Sequence, residues 1–315
     1  MVSYVNMKIK SNKILRDIVR NLHDWKWTVE KISKYRIKRA EQVNVFFLYF
    51  DPTKNQPGLA DRIKTIVSCY YIAKENGYKF RIVFKSPFEL KEFLLPNEIM
   101  WDADEEDLEY SLFDTRFFTY DGKMIHFNQN KQYICFNFHD RPLDKLNNND
   151  SLWKTLFSQL FVFSPLLYEM AEQTGLAENS YIAIHLRFLN VFAPFEKGNA
   201  PLSEKQQLSL IDRCKNTIWD ILNITDESLK VLVFSDSAYF LSKLHDMPVT
   251  VLNCDQISHI SYTSNMDEIR KTFFDLLMIS RAKTVYRVLA PELYNSNYSV
   301  VAAKIGGKDI YDHYA

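Results

Sequence analysis

Glycine is scarce, with seven in 315 residues. Neither a G-x-G-x-x-G turn nor a P-loop occurs, and both of those phosphate cradles need glycine backbone close to the ligand. Nicotinamide dehydrogenases and P-loop kinases are thereby disfavoured. G-x-S-x-G is absent too, which removes the nucleophile elbow of an α/β-hydrolase. Only four cysteines occur, Cys69, Cys135, Cys214 and Cys254. They are too far apart for a metal pair or a disulfide framework, and read as reduced, buried thiols of a cytoplasmic protein. No charge excess exists: Lys plus Arg and Asp plus Glu each number 39. A nucleic-acid partner is therefore not expected. Nor is there a long apolar run. The richest window, Leu152 to Ala171, carries Lys154, Gln159 and Pro165 and makes a poor membrane span. Met1 is followed by Lys8 and Lys10 without an apolar core, so no signal peptide is read.

What is abundant is core material: 47% hydrophobic residues, including 23 Phe and 18 Tyr. Ordered globular structure is expected over most of the chain. The first forty residues differ. Residues 8–39 hold eleven Lys or Arg against Asp17, Asp24 and Glu30. Ile14, Ile18, Leu22, Trp25 and Val29 recur at helical spacing, which predicts a basic amphipathic helix. Such an arm packs on the domain with a solvated basic face, or makes a peripheral contact with an anionic membrane.

Beyond residue 40 the chain alternates strands and helices. "VNVFFLYF" (Val43–Phe50) predicts a strand. A helix over 59–76 follows, with Leu59, Ile63, Ile66, Tyr70 and Ala73 on its buried face, and "KFRIVF" (Lys79–Phe84) predicts the next strand. "YICFNF" reads as a strand and 152–175 as one helical stretch. The second half repeats the pattern: strand "YIAIHL", a helix capped by Ser203, strand "KVLVFSD", helix "SAYFLSKLH" and strand "PVTVLN". Helix "MDEIRKTFFDLLMIS", strand "KTVYRV" and a last helix closed by Gly306 and Gly307 complete it. This is the grammar of parallel-sheet βαβ units. It predicts an α/β chain with two Rossmann-like domains facing a cleft: an arm over 1–40, an amino-terminal domain over 41–170 and a carboxy-terminal domain over 171–315.

In open α/β sheets, ligands bind outside the carboxyl ends of the strands. His185 and Arg187 stand where the strand "YIAIHL" ends. Ser235, Asp236 and Ser237 stand at the end of the next, and Ser296 and Ser299 open the last helix. A guanidinium fork suits phosphate oxygens, and a helix start offers free N–H groups to an anion. Together they predict a pocket for a pyrophosphate-bearing nucleotide. Singly each is ordinary, since Ser and Asp are common helix caps.

These segments carry a resemblance. "IAIHLRFLN" resembles the His-x-Arg motif of the fucosyltransferase superfamily of GT-B fold, which includes α1,2- and α1,6-fucosyltransferases and protein O-fucosyltransferases. "QPGLADRIKTIVSCYYIAKENGYKFRIVF" resembles that family's amino-terminal glycine loop and helix. "VLVFSDS" resembles its second strand end. The stretch from Asp267 to Gly307 resembles its closing motif, an Asp-bearing helix followed by a Ser-x-aromatic-Ser helix start. The resemblance spans roughly 43–310. It implies a GT-B glycosyltransferase moving fucose from GDP-fucose to a glycan hydroxyl, with inversion and without a metal or other cofactor. The amino-terminal domain would serve the acceptor and the carboxy-terminal domain the nucleotide sugar. Arg187 would bind the β-phosphate and stabilise the leaving diphosphate, with His185 supporting that loop or touching the nucleotide. Asp236, Ser235 and Ser237 would line the guanosine pocket, and Ser296, Tyr298 and Ser299 would contact phosphate or ribose. Gly58 and Asp61 would face the donor from the first domain. Where many relatives carry a second Arg or a Gly–Asp after the motif, this chain has Phe188, Leu189 and Asn190, one cation fewer.

Direct displacement would place charge on the departing diphosphate, where Arg187 and a helix start can stabilise it. Asp61, Glu196 and His259 are candidates for the base that deprotonates the acceptor. "DAD" at Asp102–Asp104 matches the metal-binding D-x-D of other glycosyltransferases. It lies in an acidic run that reads as a solvated helix start, and no metal site is expected there. Two other readings stand beside fucosyl transfer: a GT-B enzyme with a different nucleotide sugar, and a non-catalytic protein that binds sugar nucleotides or glycans.

Overall fold

Apolar runs become the strands of two parallel sheets. A computed structural model describes residues 29, 32–52, 57–120, 122–136, 143–189, 191–192, 201–252 and 265–315. Most of the basic arm, Glu196, His259, Asn190 and Cys254 lie outside the described residues. Contacts divide the chain into two compact units. One comprises Met1–Pro57, Lys64–Ser86 and Ile99–Asn147; the other comprises Gly58–Ile63, Pro87–Glu98 and Asn148–Ala315.

In the first unit the strands are β1 (Val45–Tyr49), β2 (Lys79–Val83), β4 (Thr115–Thr119) and β5 (Gln132–Phe136). They form one all-parallel sheet in the order β2-β1-β5-β4. Helix α1 (Leu59–Glu75) joins β1 to β2, with Leu59, Ile63, Ile66, Tyr70 and Ala73 buried as their spacing predicts. The pleat sends alternate side chains to opposite faces. Phe46 meets Phe80, Phe118 and Phe127 on one face, while Val45, Phe47 and Tyr49 join Leu108, Ile134 and Phe136 on the other. The described end of the arm packs on this unit. Arg39 pairs with Asp114 at 2.7 Å, and Tyr35 sets its ring edge-on to Tyr110 and Phe117.

The second unit holds β7 (Tyr181–Leu186), β8 (Lys230–Ser235), β9 (Val285–Leu289) and β10 (Ile310–Tyr314), parallel and in the order β10-β9-β7-β8. Helix α5 (Glu204–Ile224) begins at Ser203, whose backbone N–H donates to the Gln206 carboxamide in a capping box. Ile182, Ile184 and Leu186 point to α5 and pack with Leu210, Cys214, Ile218 and Ile221. The opposite face carries Tyr181, Ala183 and His185. It is covered by α7 (Met266–Arg281) and α8 (Tyr298–Gly306), the Tyr181 hydroxyl donating to the Met278 carbonyl. The two helices approach so closely that a Cβ on Gly306 would stand 1.9 Å from the Ser280 carbonyl oxygen. Gly307, at φ +63, closes α8 in the left-handed region that glycine tolerates.

Several expectations change. The helix expected over 152–175 is two helices, α3 (Asp150–Leu160) and α4 (Pro165–Gln173), separated by the strand β6 (Phe161–Phe163). Phe161 leaves α3 in extended conformation, and Pro165, with no N–H to give, opens α4. β6 pairs antiparallel with β3 (Leu94–Pro96) and α3 packs on α8. Residues 148–170 therefore cluster with the second unit, and the division falls at Asn147/Asn148 rather than 170. "PVTVLN" is not a strand over its described residues: Thr250 alone bridges to Leu232, and Pro248, two residues before it, has no N–H to give. "SAYFLSKLH" shortens to α6 (Ala238–Leu241) and one 3-10 turn, and α2 (Asp144–Asn147) is a single turn. Cys69, Cys135 and Cys214 are buried free thiols. Among the described residues, no helix is long and apolar enough to cross a membrane.

Candidate functional site

The second sheet changes winding direction between β7 and β9. From β7 the chain crosses through α5 to β8 on one side, and later returns to β9 on the other. Such a switch point leaves a crevice at the carboxyl ends of the two strands. His185, opposite Arg287 in register, and Arg187 just beyond the strand lie at this edge. Residues 183, 185 and 187 share one face of the pleat, so both side chains turn toward α8.

His185 is buried, and its ring lies 5.5 Å from that of Tyr298. Burial, reinforced by the positive charges of Arg187 and Arg287, pushes its pKa down to about 3. The imidazole is therefore neutral at physiological pH. It can donate or accept a hydrogen bond but is a feeble proton acceptor.

Arg187 is held in an unusual way. Its side chain is 14% exposed, and its Nε has no hydrogen-bond partner. Asp236 is near, with Oδ2 3.8 Å from Nε, a distance too long for a hydrogen bond. Both carboxylate oxygens are taken by backbone: Phe188 N–H donates to one at 2.7 Å and Leu189 N–H to the other at 3.0 Å. Asp236 thus braces the turn after β7, where Leu189 adopts φ 44. Phe188, in that turn, is 2% exposed and packs between Phe192 and Phe240.

The remaining expected residues divide between structural and open roles. The Ser235 hydroxyl accepts from Ser237 N–H, and the Ser237 hydroxyl caps α6 by accepting from Phe240 N–H. The Ser296 hydroxyl accepts from Tyr298 N–H at 3.2 Å. Tyr298 is buried and donates its hydroxyl to the Thr272 carbonyl. Its pKa is raised well above the usual phenol range by burial and then by the Asp275 carboxylate, which Lys271 pairs at 2.5 Å. Ser299, in the first turn of α8, is fully buried and its hydroxyl has no partner. Gly58 and Asp61 stand at the start of α1, where the Gly58 carbonyl accepts from Asp61 and Arg62 N–H. Their segment, Gly58–Ile63, clusters with the second unit, not with the first as expected. Among the described residues, nothing lies within 4 Å of where a Gly58 Cβ would stand.

Two contributors were not foreseen. Arg287 forks onto Asp312 at 2.8 and 2.7 Å, and its Nη1 donates to the Asn295 side chain and to the Ser296 carbonyl. It ties β9 and β10 to the segment entering α8. Tyr294 donates its N–H to the Arg187 carbonyl at 2.9 Å, and its ring centroid lies 5.8 Å from Arg187 Cζ. The alternation of "VYRVL" placed Arg287 on the His185 face, but its partner lies on a strand with a weak sequence signal. In the first unit, Lys85 reaches both Asp102 (3.2 Å) and Asp104 (3.0 Å), and Asp104 caps a 3-10 turn over Glu105–Asp107. Among the described residues, no group of three or more His, Cys, Asp or Glu is placed to hold a metal.

The two units, each with a four-stranded parallel sheet, have the GT-B fold. Among solved structures, the chain is similar to the Bradyrhizobium α-1,6-fucosyltransferase NodZ, in a crystal soaked with GDP-fucose. The TM-score is 0.56 at 13% identity, over 83% of this chain and 92% of that one. It is also similar to an Arabidopsis thaliana FUT1 variant in complex with GDP. There the TM-score is 0.55 at 12% identity, over 92% of this chain and 74% of that one. No family model and no curated protein sequence matches the chain.

Proposed function

We propose that the protein is a metal-independent, inverting glycosyltransferase that moves fucose from GDP-fucose to a glycan hydroxyl. The observation that carries this reading is Arg187: a nearly buried guanidinium at a switch point, with a partnerless Nε and a neighbouring carboxylate already committed to backbone. Unsatisfied buried polar atoms are rare, and a bound ligand, ion or water is one thing that completes their bonding. Ser299, with its own orphan hydroxyl, stands in the first turn of α8, where the helix dipole favours an anion. A diphosphate suits that pair. Similarity to fucosyltransferases crystallised with GDP-fucose and GDP supports the choice of donor.

In this reading Arg187 stabilises charge as it builds on the departing diphosphate. His185, neutral and buried, orients by hydrogen bonding and does not carry the acceptor's proton. Asp61 is half-buried at the start of α1 and is the one candidate base within the described residues. The test is thermal unfolding with GDP, UDP, CMP and ADP, followed by transfer of labelled donor. GDP at a hundredfold excess over its Kd should stabilise by about 2.7 kcal/mol. A shift equal to GDP's with UDP would point to another donor. Stabilisation by GDP without transfer to any glycan would leave a binding protein.

A further inference from the structure

The loop from β9 to α8 is fixed residue by residue. Arg213 holds the Glu292 carboxylate at 2.7 Å, and Leu293 is buried in the core of the second sheet. Tyr294 N–H donates to the Arg187 carbonyl, and Arg287 holds both the Asn295 side chain and the Ser296 carbonyl. One side chain is left out of this bonding. Tyr294 is 53% exposed, its ring beside the guanidinium whose Nε has no partner. An exposed tyrosine is ordinary in itself. An exposed ring on a loop anchored at its neighbouring residues, next to a guanidinium whose Nε has no hydrogen-bond partner, is a preorganised surface with little conformational freedom left to lose on binding.

From this we infer that Tyr294 is a ligand-contacting residue, the platform on which the donor lays a flat ring face. The inference rests on the reading of Arg187 as the diphosphate site. A donor held by its diphosphate at Arg187 has two ring systems within reach of a neighbouring aromatic. One is the planar base; the other is the sugar, whose C–H face also packs on an aromatic ring. Both present the same chemistry, an apolar ring face beside a fixed anion.

The experiment measures Kd by calorimetry for inorganic pyrophosphate, GDP and GDP-fucose, on the wild type, Tyr294→Ala and Tyr294→Phe. The contact with the Arg187 carbonyl is made by main chain, so it survives both substitutions. Tyr294→Ala should bind pyrophosphate as the wild type does. It should bind GDP roughly tenfold more weakly, the size of one base–aromatic stack, if the base is the partner. If the sugar is the partner, the loss should appear with GDP-fucose alone. Tyr294→Phe should keep wild-type affinity throughout, because the ring and not the hydroxyl makes the contact. Unchanged affinities in Tyr294→Ala overturn the inference. So does an equal loss for all three ligands, which would mean that the ring only steadies Arg187. A wild type that binds neither GDP nor GDP-fucose overturns the functional reading and this inference with it, whereas wild-type binding that is indifferent to Tyr294 overturns the inference alone.

Discussion

The two sheets are built alike and finish differently. Each has four parallel strands with polar residues gathered at the carboxyl edge. In the first unit several of those groups pair with one another. The Tyr49 hydroxyl donates to Glu105, Lys34 reaches the same carboxylate, and Lys85 is shared by Asp102 and Asp104. In the second unit, Asp236 gives both oxygens to backbone, and the Arg187 Nε and Ser299 hydroxyl are left over. The βαβ frame delivers polar residues to strand ends in both cases. At the second edge part of that hydrogen-bonding capacity is left unused.

That contrast can be broken most directly at Arg187. Arg187→Ala should leave the unfolding temperature nearly unchanged, because the side chain lies past the strand and holds no hydrogen bond through Nε. Transfer should fall by roughly a hundredfold or more, a barrier cost of about 2–4 kcal/mol for losing one preorganised charge-stabilising group. Arg187→Lys should fail as well, since an ammonium lacks the planar fork. Near-normal turnover in either variant would place the diphosphate elsewhere.

A smaller effect is expected at His185. Its pKa is depressed from 6.5 to about 3 in the folded state, so between those values the unfolded chain binds the additional proton. The stability from burying it neutral is complete above pH 6.5 and is lost as pH falls toward 3. The wild type should lose on the order of 2 kcal/mol from this residue between pH 7 and pH 5. His185→Gln should show a correspondingly flatter profile in urea titrations at the two pH values. Parallel profiles would mean that the histidine is not held neutral. The pH–rate profile should carry no limb from His185 over pH 5–9.

The smallest effect belongs to the first unit. Asp102→Ala combined with Asp104→Ala removes a cap and the two partners of Lys85, at a stability cost of about 1 kcal/mol. Transfer should be unaffected, and should also persist in excess EDTA. Loss of activity in EDTA with recovery on adding manganese would replace the metal-free mechanism and make the first edge a site after all.

Strong apolar runs made the central strands legible. β1 and β7 are buried along their whole length, so their sequences announce them without need of partners. β10 was not legible: "IYDHY" is mostly exposed at a sheet edge and carries little hydrophobic pattern. With β10 hidden, Asp312 had no address, and Arg287 could not be seen as the residue that ties the sheet to α8. β6 was hidden for the opposite reason, because its Phe-Val-Phe continues the apolar run of α3. In the site, residue types and strand-end positions could be read directly for His185, Arg187 and Asp236. That Asp236 gives both oxygens to backbone, leaving the Arg187 Nε without a hydrogen bond, depends on how the turn at Phe188 and Leu189 folds. Such pairing is a property of geometry.

The contact between Gly306 and Ser280 gives the molecule a lever. α8 is a rigid rod about 13 Å long at the usual rise per residue. At one end it presents Tyr298 and Ser299; at the other it is wedged against α7 with no room for a methyl group. A side chain at 306 would have to swing that end outward, and a stiff rod cannot move at one end without tilting at the other. Position 306 would look expendable in a survey of surface residues, yet it sets the angle at which the first turn of α8 stands.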